Sequence, residues 1–155
     1  MILHASFTVD APQVASEAVA DLMGGMALPF PELGQDAWIA LAGDQHGTLI
    51  EFMKRGTEFH YKAGGAVAHR HGPEVRHTGC HVLIESPHEE ELVFAIAERH
   101  GCRAHPADHG PLNVIEFWIE DCLLIEVASP ARAAIYKQLA ALPNVRSMVD
   151  AMAGV

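Results

Sequence analysis

Leu3-His4-Ala5-Ser6-Phe7-Thr8-Val9 and Leu49-Ile50-Glu51-Phe52-Met53 decide how this chain is read, because the pair returns as Cys80-His81-Val82-Leu83-Ile84-Glu85 and Leu123-Leu124-Ile125-Glu126-Val127. Each half opens with an apolar strand carrying a histidine and closes with one carrying a glutamate. The interval is 47 residues in the first half and 45 in the second. Strand interiors rarely bury ionisable groups without a partner. A metal ion is the leading candidate for the partner of these four side chains.

The segments between fill out the same order twice. Residues 2–9 alternate apolar and polar, a strand period. Asp10 offers a helix N-cap and Pro12 a first-turn residue. Val14, Ala15, Ala18, Val19, Leu22 and Met23 then recur at helical spacing up to Gly24-Gly25. A short strand at 26–30 and a clearer one at 37–42 follow, and the turn residues 43–47 join the latter to a strand at 48–53 as a hairpin. In the second half a strand at 79–86 leads to a helix opening at Pro87, with Glu89, Glu90 and Glu91 in its first turn. Strands at 102–105, 112–119 and 122–128 complete it, the last two joined by Glu120-Asp121. A helix after Ser129-Pro130 is broken by Pro143-Asn144, and a short helix is expected at 145–152. Residues 54–77 read as the least structured stretch, a functional or mobile crossover. His69-Arg70-His71 within it reads as part of a solvated loop or lid, because Glu74 follows too soon for a His-x-His metal pair.

Composition narrows the class. The 155 residues are half hydrophobic, enough for one domain of two small halves around a shared core. Ten basic against twenty acidic residues give a net charge of −10, which disfavours nucleic acid. There is neither a signal-peptide pattern nor an apolar run of the roughly 18 residues that a membrane span needs. Three cysteines in apolar contexts, Cys80, Cys102 and Cys122, are expected to be reduced in a cytoplasmic protein, with Cys80 and Cys102 as buried small hydrophobes. Most of the eleven histidines fall in loops.

Two strand-helix-strand-strand-strand units of similar length are an internal duplication. Over residues 2–128 the pattern resembles the vicinal oxygen chelate superfamily, which holds the glyoxalase I, epimerase, extradiol dioxygenase and bleomycin-resistance families. The resemblance implies an α+β fold of two tandem βαβββ modules forming a cupped mixed sheet, with added C-terminal helices. Module 1 would span about 2–54, the crossover 55–77, module 2 about 78–128 and the C-terminal helices 129–155, all in one domain. It also implies metal ligands at His4, Glu51, His81 and Glu126, the His, Glu, His, Glu set of the nickel-using bacterial glyoxalase I. The stretch Val114 to Asp121 with Leu124-Ile125-Glu126 is similar to that family's closing hairpin. The first helix lacks the family's Phe-Tyr, and the closing hairpin lacks its longer Asp-Pro-Asp-Gly turn. Aligning Asp10-Ala11-Pro12 on Glu85-Ser86-Pro87 would set Ser6, rather than His4, opposite His81; the two share a strand face.

Two imidazoles and two carboxylates suit divalent Ni, Co, Zn, Mn or Fe without choosing among them. The resemblance implies a lyase or isomerase working on a small oxygenated substrate through an enediolate-type intermediate, with Glu51 or Glu126 as base. Ser6, Glu85, Glu116 and Trp118 are candidate substrate contacts or supports for the ligands. One alternative is a non-enzymatic binder of the bleomycin-resistance type, whose cationic ligand a charge of −10 would suit. Another is an extradiol-type dioxygenase, which needs only two histidines and one carboxylate. A homodimer is expected, with no nucleic-acid or membrane partner.

Overall fold

A computed structural model of the chain describes residues 4–31, 35–61, 67–71, 75–107 and 113–140, with backbone alone for 59–61 and 67–71. The first module runs β1 (His4–Val9), α1 (Pro12–Met23), β2 (Met26–Pro29), β3 (Trp38–Leu41) and β4 (Leu49–Lys54). A hairpin of β5 (Thr57–Tyr61) and β6 (Val67–His71) follows. The second module runs β7 (His81–Glu85), α2 (Glu90–His100), β8 (Arg103–Ala107), β9 (Val114–Ile119) and β10 (Leu123–Ala128), and α3 (Pro130–Leu139) is the last element among the described residues. The short helix expected at 145–152 lies outside the described residues.

The modules form two four-stranded sheets of matching order, β1-β4-β3-β2 and β7-β10-β9-β8. In each, the first and last strands are parallel and the remaining pairs antiparallel. Strand alternation gives each sheet a closed and an open face. Phe7, Ile50 and Phe52 of the first sheet and Ile115, Phe117 and Ile125 of the second point to the closed side and share one buried cluster with the two helices. The Phe7 and Phe52 rings lie 6.3 Å apart, tilted by 31°. The helices touch each other, and Asp21 near the end of α1 binds the end of α2. Its Oδ2 accepts from Arg99 at 3.0 Å and lies 2.8 Å from His100 Nε2. Ser86 Oγ also donates across the halves, to the Leu22 carbonyl at 2.5 Å.

Several local expectations change. The N-cap of α1 is Ala11, with no side-chain cap of its own. Asp10 is instead committed to Arg55, and Glu120 of the second module reaches over to accept from the Asp10 and Ala11 backbone N–H groups at 2.7 and 2.6 Å. A carboxylate there satisfies unpaired N–H groups and favours the helix dipole. Pro87 does not open α2; the helix starts at Glu90 with Glu89 as N-cap, after a bend in which Ser86 Oγ accepts from the His88 N–H at 3.2 Å. The crossover carries the β5–β6 hairpin, so His69-Arg70-His71 lies in a strand rather than an irregular loop. Glu58-Phe59-His60-Tyr61 alternates polar and aromatic and could have signalled β5, whereas Val67-Ala68-His69-Arg70-His71 does not alternate.

Candidate functional site

Strand register places the duplicated residues before any side chain is considered. His4 faces Leu49 as His81 faces Leu124, and Ser6 faces Glu51 as Leu83 faces Glu126. The two histidines therefore hold equivalent places, as do the two glutamates. Matching the prolines after β1 and β7 misleads by two residues, because Pro12 starts a helix whereas Pro87 precedes one by a bend.

Each half presents its duplicated histidine and carboxylate on its open face. His81 is half exposed, and its Nε2 lies 3.8 Å from Glu126 Oε2. Glu126 is more sheltered, with 19% of its side chain exposed. In the first half Glu51 is half-buried and accepts from the Ser6 hydroxyl, while His4 is exposed. The donor types suit a divalent transition ion. As arranged here they form two half-sites: among the described residues no three His, Cys, Asp or Glu side chains come together as a metal-binding group. A cleft of about 180 Å³ runs between the halves, reaching Ser6, Thr8 and Arg55 on one side and Thr78, Cys80 and Cys122 on the other.

The remaining candidates divide. Glu85 forms an ion pair with Lys137 of α3. Glu116 lies cross-strand from Glu126 and from His105. Its Oε2 accepts from Trp118 Nε1 at 3.0 Å and sits 3.1 Å from His105 Nε2. Sequence reasoning passed over His105. The signal available was alternation in Arg103-Ala104-His105, where small Ala104 takes the closed side.

The cysteines also separate. Cys80 is exposed, against expectation, because it precedes the first paired residue of edge strand β7; Cys122 is buried and Cys102 half-buried. Burial, with Glu120 and Asp121 nearby, pushes the Cys102 thiol up to about 11. At pH 8 its thiolate fraction is then about 0.1%. Alkylation of the native protein should label Cys80 rapidly and Cys102 and Cys122 slowly. Peptide mapping that found Cys102 labelled as fast as Cys80 would contradict this assignment.

Paired βαβββ modules with open polar faces define the class: the chain has the vicinal oxygen chelate fold. Among solved structures it is similar to the fosfomycin resistance protein FosX from Mesorhizobium loti, at 12% identity and a TM-score of 0.52 over 82% of this chain and 89% of that one. FosX from Listeria monocytogenes gives 13% and 0.52, over 83% and 92%. A possible glyoxalase from Bacillus cereus gives 21% and 0.50, over 82% and 96%. No protein-family model and no curated protein matches the sequence. Among the described residues no helix is long and apolar enough to cross a membrane.

Proposed function

We propose that this chain is a metal-dependent lyase or isomerase of the glyoxalase-like kind, acting on a small oxygenated substrate. One observation carries the reading: the sheet registers give His4 and His81, and Glu51 and Glu126, equivalent places on the two open faces. These four side chains would hold the ion. When bound, such an ion supplies Lewis acidity toward adjacent substrate oxygens. The chain's own part is proton movement and orientation. Glu51 or Glu126 is the base, able to take a proton at a carboxylate oxygen from the carbon beside those oxygens. Ser6 donates to Glu51 and holds it in place, and His81 Nε2 lies 3.8 Å from Glu126 Oε2. The names of the similar structures, fosfomycin resistance protein and possible glyoxalase, fit small-molecule chemistry on this fold. We also propose a homodimer and a cytoplasmic location, the latter favoured by the three free cysteines.

Metal analysis of untagged protein, loaded in turn with Ni, Co, Zn, Mn and Fe(II) and dialysed, tests this directly. Near one ion per chain is expected, with His81→Ala and Glu51→Ala each weakening the affinity by about tenfold or more. Failure of all five ions to bind would overturn the enzyme reading. The acidic chain would then be better read as a binder of cationic small molecules.

A further inference from the structure

The open faces of the two sheets differ in one corner. Register sets Met26, Leu28, Ile39 and Leu41 of the first sheet where the second has Arg103, His105, Glu116 and Trp118. Four aliphatic side chains satisfy the fold at these places, so packing does not demand the polar set. Around it lies a cavity of about 330 Å³ lined by Arg103, His105, Trp118 and Asp121. Glu116, with 18% of its side chain exposed, sits behind and tethers both the Trp118 indole N–H and His105 Nε2 through one oxygen. A tethered indole is a wall fixed before a ligand arrives. A neutral His105 ring that donates through Nε2 to Glu116 leaves Nδ1 as an acceptor. Arg103 stands directly cross-strand from Trp118 and meets Asp121 through Nε at 2.9 Å. Its terminal nitrogens make no hydrogen bond among the described residues, and they form a fork that matches a carboxylate. Both lining carboxylate and tethering carboxylate already have cationic or N–H partners. Among the described residues the donors left over belong to Arg103, which favours an anion over a cation.

We propose that this corner is a subsite for a flat, carboxylate-bearing part of the substrate. The ring lies against Trp118, the carboxylate meets the terminal nitrogens of Arg103, and Glu116 is the positioning residue. The subsite deepens the function proposed above, since it shares the open face with Glu126, but ligand binding to it needs no metal. Trp38→Phe leaves Trp118 as the only indole. In that background, metal-free protein is titrated with benzoate, cyclohexanecarboxylate, benzyl alcohol and benzylammonium while the indole N–H NMR signal is followed. Benzoate should shift it saturably with a Kd on the order of 1 mM. The other three should bind at least about tenfold more weakly, as should benzoate to an Arg103→Gln variant. Glu116→Ala should weaken binding and loosen the indole by heteronuclear NOE, and Glu116→Gln should restore the tether. A linear or absent response to benzoate, or an equal response to benzylammonium, overturns the proposal. His81→Ala should leave benzoate binding intact, so loss of metal binding and loss of this subsite are separate results.

Discussion

Replacing Arg55 with methionine should destabilise the folded protein by about 3 kcal/mol, because it removes one partner from a buried ion network. Arg55 is 4% exposed, at the turn after β4. Its Nε donates to Asp10 at 2.7 Å, Nη1 to the Val75 carbonyl at 3.0 Å and Nη2 to Glu120 at 2.5 Å. Glu120 in turn holds the first N–H groups of the α1 entry. The single guanidinium thus ties β4, the α1 entry and the β9–β10 turn together. That turn explains why the network matters. Glu120 and Asp121 both have positive φ, 53° and 56°, where non-glycine residues cost roughly 1–2 kcal/mol each. The contacts of Glu120 offset that strain; without Arg55 they lose their central cation. The melting temperature should fall by about 10 °C for a chain of this size, and a loss under about 3 °C would show that the network contributes little. A pH dependence follows. The hydrogen bond from Arg55 is the largest cause holding the Asp10 carboxyl below its ordinary 3.8, with Arg76 adding to it. A depressed carboxylate contributes stability that is present above the unfolded value and lost as pH falls through the lower folded one. Stability should therefore decline below about pH 4, and Asp10→Asn should flatten part of that acid limb.

Gly25→Ala should cost about 3 kcal/mol or more, through overpacking against backbone that cannot rotate away. A Cβ at Gly25 would fall 1.7 Å from the Leu41 carbonyl oxygen and 3.0 Å from the Ala42 carbonyl carbon. Gly25 lies just before Met26, which pairs with Leu41, so relief means parting β2 from β3. Gly101→Ala is the control. It stands in the left-handed region at φ 65°, caps α2, and has open space around its missing Cβ. Its cost should be only about 1 kcal/mol. Urea unfolding of both variants ranks them; equal losses would show that β2 gives way to the added Cβ at little cost.

The repeated strands, the two helices and the closing hairpin were legible because each writes a period into the chain. Alternation in 4–9 and 114–119 and helical spacing in 12–23 are local signals. Helix starts were misjudged where partners come from afar: Asp10 has the shape of an N-cap, but a buried arginine 45 residues later claims its carboxylate. The sequence by itself determined that there are two modules and that four ligand-type side chains recur in them. Tertiary structure alone decided which residues share a row. The equivalence of His4 with His81, the tethering of His105 and Trp118 by Glu116, and the bridging of Glu120 to the other module all depend on strand register and on contacts between halves. These arise between residues far apart along the chain, where neither periodicity nor propensity carries information.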